Sequence, residues 1–332
     1  KALSDSRVYE HCTPIIYASE GLVKQQRHEL KLDGFHFHSI DAAENADANK
    51  VNVLNVWKDD VKLEFGHSTS AGGEYAFKSL KAAVEDIAST KIDVLVTAPI
   101  NKKNIQSEEF NFPGHTEFLA AYANEDNPLM ILVHNDLRVA LVTGHLPLEQ
   151  VASHITKDLI LTKLQVFAKS LTQDFGITRP KIAVLGVNPH SGDQGVIGSE
   201  DQDTMAPTIN AMREEGSLIY GPYPADGFFG SGQYKHFDAV LAAYHDQGLI
   251  PFKTLSFGAG VNFTAGLNAV RTSPDHGTAF DIAGKNQANI SSFKEAVFTA
   301  LNIVRHRKMH RKLTQAPLEI SAKRPSHKKK HH

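Results

Sequence analysis

Ala239-Val240-Leu241-Ala242-Ala243-Tyr244-His245-Asp246-Gln247-Gly248 is a short apolar run that leads into a histidine and breaks at a glycine. Two other stretches have the same form: Leu137 to Val142 leads into Thr143-Gly144-His145, and Ile182 to Val187 into Asn188-Pro189-His190. Apolar runs of this length, bounded by turn residues, read as strands buried on both faces of a parallel sheet. Gly144, Pro147, Pro189, Gly192 and Gly248 supply the sharp turns that aim side chains away from the strand ends. In such sheets ligands bind beyond the carboxyl ends of the strands. Three imidazoles delivered there can present nitrogen to one divalent cation and leave positions open for substrate. Any one of the 18 histidines reads by itself as an ordinary surface residue, but three in one topological position point to a catalytic metal site.

Outward from these strands, helical and strand periods alternate. Phe77, Leu80, Val84 and Ile87 fall on one helical face, and Ile92 to Val96 follows as a strand. Leu161, Leu164, Ala168 and Leu171 precede the strand at Ile182, and Met205, Ile209 and Met212 precede the one at Ala239. Ser292-Phe293-Lys294-Glu295 has the form of a capping box, opening a helix whose buried face is Phe293, Val297, Leu301 and Val304. The alternation predicts an α/β protein, α/β/α in its layers, with a largely parallel sheet. Two domains sharing a continuous or interwoven sheet suit the length of 332 residues and the lack of an obvious linker. The division expected is 1–112 with 265–312 as a cofactor-side domain, 113–264 as a metal-binding and dimerisation domain, and 313–332 as a basic tail.

Composition narrows the function classes. No apolar run approaches the ~18 residues of a membrane helix, and no secretory signal opens the chain, although a start at Lys1 rather than Met points to a missing true beginning. Cys12 is the only cysteine, so no internal disulfide forms and a reducing, cytoplasmic compartment is expected. The net charge of −2 hides an acidic body and a basic end, the segment from Arg305 onward being rich in Lys and Arg. An acidic body is a poor duplex binder, so neither nucleic acid nor membrane is an expected partner.

Phe112-Pro113-Gly114-His115-Thr116-Glu117 precedes a predicted helix whose first free N–H groups can receive an anion, and a plain helix cap reads equally well. Lys253, Asn262 and Arg271 lie in Gly-rich or turn-rich stretches, where Lys and Arg are natural partners of phosphate and carboxylate. Asp275-His276-Gly277-Thr278-Ala279-Phe280-Asp281-Ile282-Ala283-Gly284, continuing to Ala288-Asn289, resembles the adenosine-binding loop of the metal-dependent β-decarboxylating dehydrogenases. On that resemblance Gly277 and Thr278 let backbone approach the nucleotide, Asp281 accepts from the ribose hydroxyls and Asn289 faces adenine. A carboxylate at Asp281 repels a 2′-phosphate, so NAD is expected over NADP. Phe280 stands where that loop usually carries proline.

These stretches, together with Thr97-Ala98-Pro99-Ile100-Asn101-Lys102 and Pro224-Ala225-Asp226, resemble the 4-hydroxythreonine-4-phosphate dehydrogenase family of pyridoxal phosphate biosynthesis, from about Val94 to about Val304. The resemblance implies the isocitrate/isopropylmalate dehydrogenase type of fold. It implies metal ligands at His145, His190 and His245, substrate contacts at His115, Thr116, Lys253, Asn262 and Arg271, and zinc, cobalt or magnesium as the ion. It also implies a homodimer with the active site at the interface, one metal histidine coming from the neighbouring chain. The family's opening Gly-rich segment has no counterpart here; Gly227 stands where Thr is common and Asp193 where Glu is frequent.

The implied reaction oxidises the 3-hydroxyl of 4-phosphooxy-L-threonine with NAD, giving a 3-keto acid that loses carbon dioxide to yield 3-amino-1-hydroxyacetone 1-phosphate. Asp246 and Asp226 are candidates for orienting the ligands or removing a proton, and Lys102 for carrying one; the sequence leaves that choice open. Two rival functions stand beside it. One is a dehydrogenase of a four-carbon sugar-acid phosphate, D-threonate or D-erythronate 4-phosphate. The other is a non-redox phosphate-ester binding protein or transferase on a similar scaffold.

Overall fold

The computed structural model describes residues 1–62, 64–125 and 127–315, so the predicted basic tail lies outside the described residues from 316 onward. The strands are β1 (Ile15–Ala18), β2 (His38–Ile40), β3 (Asn52–Asn55), β4 (Val94–Val96), β5 (Leu129–His134), β6 (Leu137–Leu141), β7 (Ile182–Leu185), β8 (Ile219–Tyr223), β9 (Ala239–Ala242), β10 (Val261–Ala265) and β11 (Val270–Pro274). The helices are α1 (Ser6–Tyr9), α2 (Glu20–Glu29), α3 (Ser70–Ala88), α4 (His115–Ala123), α5 (Leu148–His154), α6 (Lys157–Gln173), α7 (Ala206–Glu214), α8 (Ala225–Gly230), α9 (His245–Ser256) and α10 (Ser291–Gln315).

Among the described residues the strands form a three-stranded sheet, β1-β3-β2, and an eight-stranded sheet, β4-β11-β10-β5-β6-β9-β7-β8. The smaller sheet is parallel throughout. In the larger one β6, β9, β7 and β8 run parallel, as do β4 and β11, while β11, β10, β5 and β6 meet antiparallel. The predicted α/β architecture with a largely parallel sheet is therefore present. The larger sheet continues across the division drawn at 264/265, where β10 pairs with β11. No described helix is long and apolar enough to cross a membrane.

The strands that carry the histidines are as apolar as their sequence: β7 and β9 are buried at every position. The helices that cover them begin at side-chain caps. Thr156 accepts from the Leu159 N–H at the start of α6, and Thr69 from the Gly72 N–H at the start of α3. In α6 the buried stripe is Ile160, Leu164, Phe167 and Leu171. Leu164 and Leu171 were expected there; Leu161 and Ala168 sit at its margin, because the bulkier Phe167 takes the centre of the face. Each such fully buried side chain contributes roughly 1.5–3 kcal/mol. Met205, Ile209 and Met212 are buried as expected, and in α3 Phe77, Leu80 and Val84 are buried with Ala83 while Ile87 packs partly buried against the same cluster.

Two expectations for α10 change. Its sheet-facing stripe is Ala296, Ala300 and Ile303, small residues that let the helix lie close on the strands. Of the expected face, Val297 is buried and Val304 packs against the core, while all four residues, Phe293 and Leu301 included, also line a cavity of about 830 Å³ between the edges of β1 and β4, whose wall reaches Thr97 and His115. The capping box does not form either. Asn289 Oδ1 accepts the Ser291 N–H, while the Ser292 hydroxyl turns inward to donate to the Gly260 carbonyl and accept from the Asp275 N–H. Burial of Ser292 decides this, since its hydroxyl is more costly to leave unpaired than a solvent-facing cap. Farther along, buried Arg307 donates to Asp174 at the end of α6 and to the Asn268 carbonyl, tying α10 to the sheet.

Candidate active site

The three histidine-bearing strands are neighbours. β9 lies between β6 and β7 with both pairings parallel, so His145, His245 and His190 leave the same edge of the sheet. At that edge Thr143 holds β6 to β9, its N–H and its hydroxyl both donating to the Ala243 carbonyl at 3.1 and 2.8 Å.

His145 and His245 come together, their ring centroids 5.8 Å apart. Burial pushes the His145 imidazole below the ordinary histidine range, with Lys102 adding to the effect, Glu117 opposing it and His245 adding to it again. A neutral imidazole is the form that binds a metal. His245 opens α9, and its Nδ1 is paired with Asp246 Oδ1 at 2.7 Å, which leaves Nε2 available. A carboxylate on the far nitrogen is the usual support of a metal-binding histidine. Asp246 thus orients His245, one of the two roles left open for it.

His190 does not join them within one chain. Among the described residues no three His, Cys, Asp or Glu side chains gather closely enough to hold an ion. The segment that carries it, Pro189–Gly195, is a left-handed turn: His190, Ser191, Asp193 and Gln194 have φ of 56°, 52°, 41° and 57°. Each non-glycine residue held there costs about 1–2 kcal/mol. Such strain persists only where surrounding contacts over-determine it, and it concentrates at functional sites. The turn leaves His190 exposed and is followed by Val196, 81% exposed.

The anion-binding candidates fall on regular elements rather than in turns. Arg271 lies in β11 and is only 4% exposed; its Nε and Nη2 donate to Thr97 Oγ1 at 3.0 and 2.6 Å, and Nη1 donates to Thr264 Oγ1 at 3.3 Å. Burial lowers its pKa to about 10, with Glu117 opposing, so it remains a cation at neutral pH. Asn262 in β10 has a buried Oδ1 without a hydrogen-bond partner, the kind of atom that a ligand satisfies. Lys253 lies in α9 with its Nζ 3.5 Å from Asp275 Oδ1 at the end of β11. Burial raises the Asp275 carboxyl while Lys253 pulls it down, and His276 and His245 stand close enough to contribute. That places the Lys253 pair beside His245.

His115 and Thr116 open α4, whose first turn has no side-chain cap. Burial pushes His115 down to about 3, with the Arg271 and Lys102 cations adding to it. A histidine that is neutral when folded and has an ordinary pKa near ~6.5 when unfolded contributes stability that is complete above ~6.5 and lost as pH falls toward 3. The wild-type protein is therefore expected to lose roughly 4 kcal/mol more unfolding free energy over that window than His115→Asn. Urea denaturation at a series of pH values checks this; parallel curves would show that His115 protonates without penalty.

The predicted nucleotide loop is exposed. Gly277 and Thr278 follow the end of β11, Asp281 sits in a short turn at Phe280–Ile282, and Ala279 is held at φ 49°. Gly284, at φ 76°, has the Phe65 ring against its α-carbon, so the 64–68 segment backs this loop. Asn289 has a structural role as well, through its bond to the Ser291 N–H. Asp226 lies exposed in the first turn of α8, and among the described residues no hydrogen bond joins it to the histidines.

Three participants were not singled out from the sequence. Thr97 holds the Arg271 fork, Asp275 pairs with Lys253, and Glu117 is the acidic group among the cations of Lys102 and Arg271. All three lie inside quoted motifs, but only the fold shows which cation each one faces.

The family description that matches residues 10–300 is pyridoxal phosphate biosynthetic protein PdxA. A 4-hydroxythreonine-4-phosphate dehydrogenase from Bacteroides thetaiotaomicron is 49% identical over 319 residues, covering 96% of this chain and 87% of its own. A crystal structure of such an enzyme from Burkholderia phymatum is similar at a TM-score of 0.75 and 34% identity, covering 91% of this chain and 92% of that one. Another from Klebsiella pneumoniae gives a TM-score of 0.77 at 32% identity, covering 92% of each chain.

Proposed function

Because the chain belongs to the PdxA family of pyridoxal phosphate biosynthetic proteins, we propose that it oxidises the 3-hydroxyl of 4-phosphooxy-L-threonine with NAD and releases carbon dioxide from the resulting 3-keto acid. The product is 3-amino-1-hydroxyacetone 1-phosphate. One observation carries this reading: a single sheet edge presents His145 and His245, ring centroids 5.8 Å apart, in a chain that also buries the Arg271 cation on Thr97 and Thr264.

The donor set fits a divalent cation. His145 is neutral, His245 is braced by Asp246, and a second copy of the chain would bring the exposed His190 as third ligand. Imidazole donors suit zinc or cobalt better than magnesium. Such an ion supplies Lewis acidity toward the substrate hydroxyl, and NAD supplies the hydride acceptor. The chain's own residues do the rest. Arg271 and Lys253 hold the phosphate and carboxylate, and Asn262 completes its hydrogen bonding on the substrate. Neutral His115 offers a hydrogen bond without adding charge. His245 engages only Oδ1 of Asp246, so the proton released from the hydroxyl passes to solvent by way of the second Asp246 carboxylate oxygen or of Lys102.

A homodimer is part of the proposal. Val196 beside the His190 turn is 81% exposed, and Phe257 at the end of α9 is 89% exposed, apolar surface of the kind that a second copy covers. The cytoplasm, with its reduced thiols, suits a chain whose single cysteine is free.

NADH formation followed with 4-phosphooxy-L-threonine and, separately, D-threonate 4-phosphate tests the reading; turnover of the sugar acid alone would overturn it. In the same assay Asp281→Ala is expected to raise the KM for NAD about tenfold, the loss of one charged hydrogen-bond acceptor, without changing the KM for substrate. An unchanged KM for NAD would remove the nucleotide from this loop.

A further inference from the structure

The three histidines ride on strand ends, so the placement of those ends fixes where His145 and His245 are presented to one site and where His190 is presented to the site it shares with a second copy. β6 and β9 are fastened directly, by the two bonds from Thr143 to Ala243. β9 and β7 are not. Their register is paired as far as Val184 opposite Leu241, and past it no described backbone hydrogen bond joins Ala243 to β7. Neither the Ala243 N–H nor the Gly186 carbonyl has a described backbone hydrogen-bond partner. Both are taken instead by one side chain: Gln247 Oε1 accepts from the Ala243 N–H at 2.7 Å and Gln247 Nε2 donates to the Gly186 carbonyl at 2.6 Å. The carboxamide lies between the strands as an extra peptide unit would, with its acceptor toward one and its donor toward the other.

Past Gly186 the chain is gripped from a second side. Asp201, 1% exposed, accepts from the Val187 N–H at 2.8 Å, the Asn188 N–H at 3.0 Å and Asn188 Nδ2 at 3.0 Å. A β-carbon at Gly186 would come within 2.7 Å of Asp201 Oδ1 and 2.8 Å of Ser191 Oγ, so there is no slack in this segment. Pro189 and His190 follow at once.

We propose that Gln247 is a positioning residue for the reaction: its carboxamide wedges β7 from β9 and, against the Asp201 grip, sets where the His190 turn leaves the sheet relative to His245. Gln suits this place because a carboxamide carries its acceptor and its donor on separate atoms, Oε1 toward Ala243 and Nε2 toward Gly186. The inference rests on the proposed metal reading, and its test separates the two.

Gln247→Met keeps the length and volume and removes both bonds; Gln247→Glu keeps the acceptor and loses the donor. Backbone hydrogen exchange on metal-free protein reads the wedge without any ion: the Ala243 amide is expected to be protected in wild type and in Gln247→Glu, and to exchange at least tenfold faster in Gln247→Met. Zinc affinity, measured by competition with a chromophoric chelator, is expected to fall about 10–100-fold in Gln247→Met, with kcat lowered in parallel and the KM for NAD within twofold of wild type. The loss in Gln247→Glu should be at least tenfold too, since the Gly186 carbonyl is released. A rapidly exchanging Ala243 amide in wild type, or a folded Gln247→Glu or Gln247→Met protein with wild-type zinc affinity and kcat, would overturn the proposal. Should Gln247→Met not fold, Gln247→Glu decides by the same two measurements. Wild type that binds no zinc, with Ala243 protected by Gln247, would instead sink the metal reading and leave the wedge as architecture alone.

Discussion

His245→Ala is expected to lower kcat/KM about a thousandfold and to strip the bound metal, with little change in thermal stability. A cation acting on a reacting oxygen contributes several kcal/mol to transition-state stabilisation, and at roughly 1.4 kcal/mol per decade the loss of ~4 kcal/mol is three orders of magnitude. The fold is spared because the His245 side chain is 38% exposed and its only described polar contact is with Asp246. His190→Ala is expected to do the same, although its imidazole stands apart from the other two within one chain. Mixing the two inactive proteins then distinguishes a shared site from a local one. If His190 serves the other subunit, a mixed dimer of one His245→Ala and one His190→Ala chain carries both defects in one site and none in the other. With random pairing, half the dimers are mixed and half their sites are whole, so about a quarter of wild-type activity returns. Should each histidine serve its own chain, mixing restores nothing. Full activity in either single variant would remove the metal from the mechanism.

The part of this site legible in the sequence was the part written in local pattern. A buried parallel strand announces itself by a short apolar run, and the turn beyond it by Gly or Pro, so the three histidines could be placed at strand ends before any fold was known. Strand order was not legible, because it depends on pairings between residues a hundred positions apart, such as Val139 with Val240. Only that order shows that β9 is flanked by the other two. Arg271 marks the opposite failure. Its neighbourhood reads as a turn-rich stretch, but it is the second residue of β11, where burial is tolerable because Thr97 and Thr264 take its donors. Thr97 is 174 positions away and Thr264 is reached only through the pairing of β10 with β11, so no local signal announces them. The left-handed turn at His190 was hidden for a further reason: four of the residues it holds at positive φ are not glycine, so composition argues against the conformation that tertiary contacts impose.

Arg271→Met is expected to separate stability from activity more sharply than any other substitution in the protein. The guanidinium is buried at 4% exposure with Glu117 as its charged neighbour and two threonine hydroxyls as its hydrogen-bond partners. Removing a charge from water at such a position carries a desolvation cost that hydroxyl acceptors offset only in part. Burial has already drawn the group down to about 10, the sign of a cation held against its preference for solvent. A methionine of similar length leaves Thr97 and Thr264 with hydroxyls that can turn to backbone carbonyls, so the variant should unfold at the wild-type temperature or above it. Activity should move the other way. An anionic substrate that loses a buried, hydrogen-bonded cationic partner gives up about 3–5 kcal/mol, which is two to four decades in kcat/KM. Arg271→Lys keeps the charge but not the planar fork that spans Thr97 and the ligand, so it should recover only part of that loss. Steady-state kinetics beside calorimetric unfolding of the three proteins reads both effects at once. A strongly destabilised Arg271→Met with near-normal kcat/KM would show that Arg271 is there to hold β4, β10 and β11 together, and that the substrate's negative charge is met elsewhere.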